Sequence, residues 1–438
     1  MIKTESPESP WPIYQQIAFR FFAIYFILST AIWSWMGTFP WFSFLGTFGT
    51  WFNEGYTNIF NQYIYTIKEE LVPTRGSGDT SMGWATLYAQ LFIALVGTII
   101  WSIVDRKRRS YKIASLVIRN VVRYYVILFA FIYGLIKIFG LQMPAPSNSY
   151  YATDLGHFSA MRFSWNFVGY SNTYQFFSGF AELLVGLLLL YRRTVVLGSV
   201  VGIGVFAYVF LLNMTFDIPV KIFSFQLFFA CLFLSFNNLR RLTRFFLLNK
   251  PVSADQSWDL PFTLPWFKPA RLVIKAVFIG CFAIYPLYNY SNVADSREYA
   301  ETPPPFESGF YRIDNFVLNG DTIPPSLNSN VHWSDLAIDN AGRGSIGLID
   351  SASFRVRYGR SYFFNYAVDS TTDRLTIKRY GRDTLSIFEG AYFELEDRGL
   401  QLSGIYKTTD TLTVDLLWDN RNYQLAKKEF NWMLESVP

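Results

Sequence analysis

Seven stretches of this chain stay apolar for about twenty residues each, separated by short polar runs. After residue 290 the long runs stop and apolar and polar positions begin to alternate. A helix of about twenty residues spans the roughly 30 Å hydrocarbon core of a bilayer, and helix is the form in which a lipid-exposed segment satisfies its own backbone. The pattern predicts membrane helices over 17–36, 84–104, 114–141, 173–191, 195–216, 220–236 and 271–290. The alternating part, broken by Gly, Asn, Asp and Ser, predicts strands over 309–318, 344–349, 353–358, 361–366, 374–380, 384–388, 391–396, 400–406 and 411–417. The fold class is a polytopic α-helical membrane bundle of about seven spans followed by an all-β antiparallel barrel or sandwich.

The chain divides accordingly. Residues 1–113 hold the first span, a loop and the second span, and residues 114–242 form a four-helix core. Residues 243–290 hold a cytoplasmic loop and the seventh span, 291–306 form a linker through Thr302-Pro303-Pro304-Pro305, and 307–438 are the β domain. In 37–83, Trp51, Tyr56, Phe60, Ile64 and Ile67 repeat near helical spacing, which predicts a helix in the membrane interface. The loop 143–172 opens with the breakers Pro144, Pro146, Ser147 and Asn148, and its Met161-Arg162-Phe163-Ser164-Trp165 segment suits a short cap on the bundle's outer mouth.

Charge adds orientation. Only 16% of residues are charged, against roughly a quarter in soluble domains, so lipid is the solvent for most of the chain. The basic groups Arg106-Lys107-Arg108-Arg109, Arg192-Arg193 and Arg240-Arg241 with Arg244 follow the second, fourth and sixth spans. Positive residues mark cytoplasmic loops. They predict a multi-pass protein of the cytoplasmic (inner) membrane with its amino terminus inside and its β domain extracytoplasmic. Gly37-Thr38-Phe39-Pro40-Trp41 after the first span offers no small-residue cleavage signal, so that span is expected to be retained. No basic stripe interleaved with aromatics points to nucleic acid.

Candidate chemistry is sparse. Cys231 and Cys281 both fall within predicted spans, which argues against dithiol exchange, and neither His157 nor His332 has metal-ligand spacing to another donor, so no metal site is expected. Ionisable residues inside spans carry more information, because they are costly in hydrocarbon unless they face a partner or a wet cavity. Glu182 lies near the middle of its span. Lys137, Asn213, Asp217 and Lys221 on neighbouring spans all lie toward the outer side, and Gly134 and Gly179 remove side chains that would hold helices apart. Together they predict a polar pocket in the outer half of the bundle, with Glu182, Lys137 and Asp217 as its reactive groups and Asn213, Lys221, Gly134 and Gly179 as its lining.

Those residues sit in Tyr133-Gly134-Leu135-Ile136-Lys137, in the run Phe177-Ser178-Gly179-Phe180-Ala181-Glu182 with Leu183-Leu184-Val185-Gly186, in Arg192-Arg193-Thr194, and in Leu212-Asn213-Met214-Thr215-Phe216-Asp217-Ile218-Pro219-Val220-Lys221. Over about 114–242 this order and spacing resembles the DoxX family, whose members have a four-helix membrane core with a Gly-x-x-Lys late in its first helix and a Gly-x-x-Glu in its second. The resemblance implies a membrane subunit of a quinone-linked oxidoreductase, with quinone as ligand and a redox or envelope protein as partner beside the lipid bilayer. The cysteine pairs of redox-active relatives are missing here. The β domain, with Gly309-Phe310-Tyr311, Asn319-Gly320-Asp321-Thr322 and Leu400-Gln401-Leu402-Ser403-Gly404, is similar in pattern to small lipocalin-like barrels. An alternative therefore stands beside the first: a non-enzymatic, membrane-anchored binding or envelope-assembly protein whose β domain takes a lipid, a small apolar ligand or a protein partner.

Overall fold

The computed structural model describes residues 10–33, 42–73, 78–253, 258, 266–299, 306–326, 331–340, 342–348, 360, 362–369, 371–380, 386–421 and 423–427. Two compact units emerge. One comprises Met1–Phe139 with Phe176–Tyr290, the other Gly140–Gln175 with Ser291–Pro438.

The first unit is helical: α1 Ile13–Thr30, α2 Ser43–Tyr63, α3 Ser81–Val104, α4 Lys112–Ile138, then α7 Asn172–Leu190, α8 Val195–Thr215, α9 Lys221–Phe236, α10 Leu239–Leu242, α11 Phe267–Ile279 and α12 Tyr285–Tyr299. Among the described residues five segments are long and apolar enough to cross a membrane: Ser81–Val104, Lys112–Ile138, Asn172–Leu190, Arg192–Thr215 and Pro269–Ala294. A sixth is the pair Lys221–Phe236 and Leu239–Leu247, bent by 75° at the break. That bend falls where the sixth span was expected to end. The expected first span is a helix over Ile13–Thr30 that starts earlier than 17, includes Gln15, Gln16 and Arg20, and is not among the segments long and apolar enough to cross; 34–36 lies outside the described residues.

Arg20 is buried yet fully engaged. It donates to the Tyr111 hydroxyl (2.9 and 3.1 Å), to Ser102 Oγ (2.8 Å) and to the Asp105 carbonyl (3.1 Å), and Tyr111 donates to Asp105 Oδ2 (2.8 Å). The basic loop after α3 thereby ties down α1. Around it, Val122, Val126, Ile127, Ala130 and Phe131 of α4 join Tyr25 and Phe26 of α1 in the bundle core, where Phe26 meets Phe233 of α9 at 4.5 Å between ring centres. The predicted interfacial segment is α2, which lies on α3 through Thr57 and Thr86 (3.1 Å) and through Gln90, which donates to the Tyr56 hydroxyl (3.0 Å).

The second unit is a barrel. Its strands are β1 Phe310–Leu318, β2 Asp321–Thr322, β3 Trp333–Asp339, β4 Arg343–Leu348, β5 Tyr362–Asp369, β6 Arg374–Arg379, β7 Ser386–Glu394, β8 Leu400–Tyr406 and β9 Asp410–Asp419. Each long strand pairs antiparallel with the next, and β1 also pairs with β9, which closes eight strands into a ring; the two-residue β2 hangs from β1. Closure removes exposed edges. The β1–β2 hairpin turns at Asn319 and Gly320, both with positive φ (53° and 88°), as a two-residue primed turn requires. Inside, Tyr311, Phe316, Trp333, Phe364, Phe388, Tyr406, Val414 and Leu416 are almost completely buried.

Two strand expectations change. The described part of 384–388 and residues 391–394 belong to a single strand, β7, that passes without interruption through Gly390, while 384 and 385 lie outside the described residues. β3 was not expected, because from Asp335 to Asp339 all five residues are buried instead of alternating. The reason is an outer cover. Residues 143–172, expected as a loop whose 161–165 segment caps the bundle, fold as α5 Asn148–Tyr151 and α6 Ala160–Tyr170 within the barrel's own unit, and α5 lies against β3. The strand expected over 353–358 lies outside the described residues.

Candidate functional site

Helices α4 and α7 meet where each has a glycine. A Cβ built on Gly134 would come within 2.9 Å of the Gly179 carbonyl oxygen, and one on Gly179 within 2.6 Å of the Gly134 carbonyl oxygen. Only bare backbone permits so close an approach. These glycines therefore set the spacing of the helix pair, and what they line is each other.

Three residues beyond each glycine, nearly one turn, stand Lys137 and Glu182. Their side chains form an ion pair, Lys137 Nζ to Glu182 Oε1, with 7% and 2% of their surfaces exposed. Glu182 lies ten residues after the start of α7 and eight before its end, hence about 15 Å and about 12 Å from the two ends of the helix. A charge pair at that depth is expensive unless it is strongly coupled. Among the described residues only one carboxylate oxygen has a partner: Glu182 Oε2 is buried and accepts no hydrogen bond from them. The phenol of Tyr133 lies within electrostatic reach of the same carboxylate, one turn before Lys137, and packs on Phe129 and Phe223 at 6.3 and 5.6 Å. The arrangement offers one buried proton acceptor, one ammonium and an aromatic wall.

The other expected members form a separate cluster at the turn between α8 and α9. Asp217, with a left-handed φ of 49°, is 88% exposed and pairs with Lys221 at 2.7 Å. The Lys221 ammonium holds its carboxyl below the usual carboxylate range. Asn213 is buried and its Nδ2 points to the Val220 carbonyl at 3.5 Å. Among the described residues, no hydrogen bond or ion pair joins this cluster to Lys137 or Glu182. Its anchor is Asp79, whose carboxylate accepts from the backbone N–H groups of Lys221 (2.7 Å) and Ile222 (3.0 Å) and lies 3.8 Å from Lys221 Nζ. An acid there satisfies the first orphan amides of α9 and complements its dipole.

Sequence reasoning missed Asp79, and it missed Arg119 and Arg123 within α4. Arg123 is buried and donates to the Leu189 carbonyl at the end of α7 (2.6 Å), while Arg119 lies 3.9 Å from the ring centre of Trp258. The signal that found Glu182, a charge inside an apolar helix, was present for both arginines. For Asp79 no such signal exists, because loop residues that cap a distant helix leave no trace in local spacing.

The histidines and cysteines stand apart. His157 pairs with Asp154 at 3.5 Å on the loop, His332 is buried in the barrel beside the Trp333 carbonyl (2.6 Å), Cys231 is buried in the bundle core, and Cys281 lies in the π-helical turn 280–284 that joins α11 to α12. In the barrel interior, Phe306, Leu336, Phe364, Leu375 and Leu402 bound an apolar cavity of about 10 Å³. That is space for a single water-sized sphere. Side chains, not ligand room, fill this part of the barrel.

Fold and site together define a polytopic helical membrane protein with a buried Lys–Glu pair and a closed eight-stranded antiparallel barrel. No family model and no solved structure matches the chain. It is 32% identical over 130 residues to the uncharacterized protein YwoB of Bacillus subtilis (strain 168), an overlap that covers 29% of this chain and 79% of that protein, and it belongs to the same family.

Proposed function

We propose that the bundle is the ligand-handling half of a quinone-linked membrane subunit, in which Lys137 and Glu182 bind a quinone headgroup and exchange protons with it. The observation that carries this reading is the free oxygen of Glu182: a buried carboxylate with one oxygen held by an ammonium and the other unused can take up or release a proton. The resemblance of 114–242 to the DoxX family supports quinone as the ring. Electrons would come from a partner protein. The basic loops after α3 and α7 support an amino terminus in the cytoplasm and a barrel outside the inner membrane.

The test is mass spectrometry of the gently extracted protein. Quinone should be released from the parent chain and be absent from Glu182→Gln, under conditions that retain quinone on a known quinone protein. A parent chain without quinone under those conditions overturns the reading.

A second reading has its own observation: Gly134 and Gly179 already fill the space on their side of the pair. On that view Lys137 and Glu182 fasten two helices, and the protein anchors an outer barrel that binds its partner on the barrel's surface. Glu182→Gln would then leave the cellular phenotype intact and deletion of 301–438 would abolish it.

A further inference from the structure

The connection between α4 and α7 has a second role, independent of any quinone. We propose that residues 140–175 are a strap that holds the barrel to the two helices carrying Lys137 and Glu182, so that the barrel stays attached without the linker through 300–305.

Three observations carry this. The segment belongs to the barrel's compact unit, although the chain places all of 176–290 between them. Its contacts with the barrel are polar, buried and specific: Asn148 Nδ2 donates to the Ile338 carbonyl (2.9 Å), the Ser149 N–H donates to Asp339 Oδ1 (2.8 Å), and Arg360 donates to the Ala152 carbonyl (3.1 Å) while it pairs with Asp335. Asp339 thus supplies, from a strand, the carboxylate that the first turn of α5 needs. Arg162 of α6 adds its guanidinium over Phe363 of β5 at 5.2 Å, and Tyr151 stacks on Tyr423 at 6.0 Å. Pulling the segment away would leave Asp339 and Arg360, both nine-tenths buried, short of partners.

The strap is also closed at its base. Gln175, 1% exposed in the first turn of α7, grips Met143 with both ends of its amide, donating to the carbonyl (2.8 Å) and accepting from the N–H (3.2 Å). Gly169 lets α6 sit on the backbone of Pro144, where a Cβ would come within 2.5 Å of the carbonyl oxygen. One foot of the strap follows Lys137 almost directly, and the other lies seven residues, two helical turns, before Glu182 on the same face of α7. Both ends of the strap therefore run directly into the helices that carry the ion pair.

The experiment uses the full chain in detergent with a site-specific protease sequence inserted within 300–305. After cleavage, the barrel fragment of the otherwise unaltered chain should co-elute with the bundle on size exclusion, and its release would overturn the proposal. The double variant Asp339→Ala with Arg360→Ala should release a fragment that still resists trypsin. Should that fragment lose its trypsin resistance, the triple variant Asn148→Ala, Ser149→Pro and Arg162→Ala decides, since it removes the donors to Ile338 and Asp339 and the guanidinium over Phe363 and leaves every barrel residue in place. The triple variant retaining its barrel as the parent does would also overturn the proposal, because attachment would then not depend on these contacts.

Discussion

The bundle and the barrel solve one packing problem in opposite media. Both press glycine against glycine: Gly134 on Gly179 between helices, and Gly390 on Gly404 between β7 and β8, where a Cβ on either would come within 2.6 Å of the other's backbone. What surrounds those contacts differs. In α8 the buried positions include Gly198, Ser199, Gly202 and Asn213, while Leu197, Tyr208, Leu211 and Met214 face outward. In the barrel the buried positions are Trp333, Tyr311, Phe316 and Phe388. With lipid outside, leucine gains little by going in, so small and polar side chains share the interfaces with large ones such as Phe206 of α8 and Phe26, Ile127 and Phe131 of the bundle core. With water outside, burial sorts the large apolar residues inward. In both units a buried charge marks a built contact: Lys137 with Glu182 in the bundle, and Arg360 with Asp335 in the barrel's unit.

The largest expected effect breaks the bundle side of this contrast. Lys137→Ala leaves the Glu182 carboxylate buried without its cation, which should cost about 3–5 kcal/mol, whereas Lys137→Met combined with Glu182→Leu, which removes both charges, should be near neutral. Thermal unfolding of the purified protein in detergent, followed by helical circular dichroism, measures both. Equal losses in the single and double variants would show that the two charges are not coupled.

A smaller effect compares the two glycine contacts directly. Gly179→Ala drives a methyl into the Gly134 carbonyl and Gly390→Ala drives one into the Ser403 carbonyl, 2.3 Å away. Backbone cannot swing aside as a side chain can, so each should cost about 1–3 kcal/mol. Each should act on its own unit. Gly179→Ala should lower the helical circular dichroism transition and leave the β-sheet transition of the barrel in place, and Gly390→Ala should do the reverse; a shift of both transitions by either variant would contradict independent units.

Legibility in the sequence followed the medium too. Six of the seven apolar runs have the length and hydropathy of a span as helices, one of them only as a bent pair, because length and hydropathy are intrinsic to the segment. Strand alternation exposed β1, β6, β8 and β9 for the same reason, and it failed at β3, whose outer face is covered by a segment distant in sequence. The ion pair was readable because Glu182 and Lys137 each break an apolar run and each follow a glycine by three residues. Asp217 was grouped with them on depth alone, and depth does not say which way a side chain turns. Gln175, which closes the strap, carries no signal of its own in the sequence. Its meaning depends on Met143, and that contact exists only after folding.

The smallest expected effect sharpens the barrel side. Burial holds the His332 imidazole below its ordinary 6.5, a shift opposed by its hydrogen bond with the Trp333 carbonyl. The unfolded chain then binds the proton first as pH falls. The stability contributed by keeping this ring neutral is complete above about 6.5 and is lost progressively as pH drops from there toward the depressed folded value. Burial raises the Asp339 carboxyl above 3.8. That shift has the opposite sign, since its contribution is complete below 3.8 and is lost as pH rises through the raised value, so the total pH profile mixes the two. His332→Phe separates them. The ring contact with Phe316, 4.8 Å between centres, is kept and the titration is removed, so between pH 7 and pH 5 the barrel's melting midpoint should fall further in the parent than in the variant, with the bundle transition unchanged in both. Parallel slopes would mean that His332 does not titrate against folding, and the acid sensitivity of the barrel would then have to come from its carboxylates.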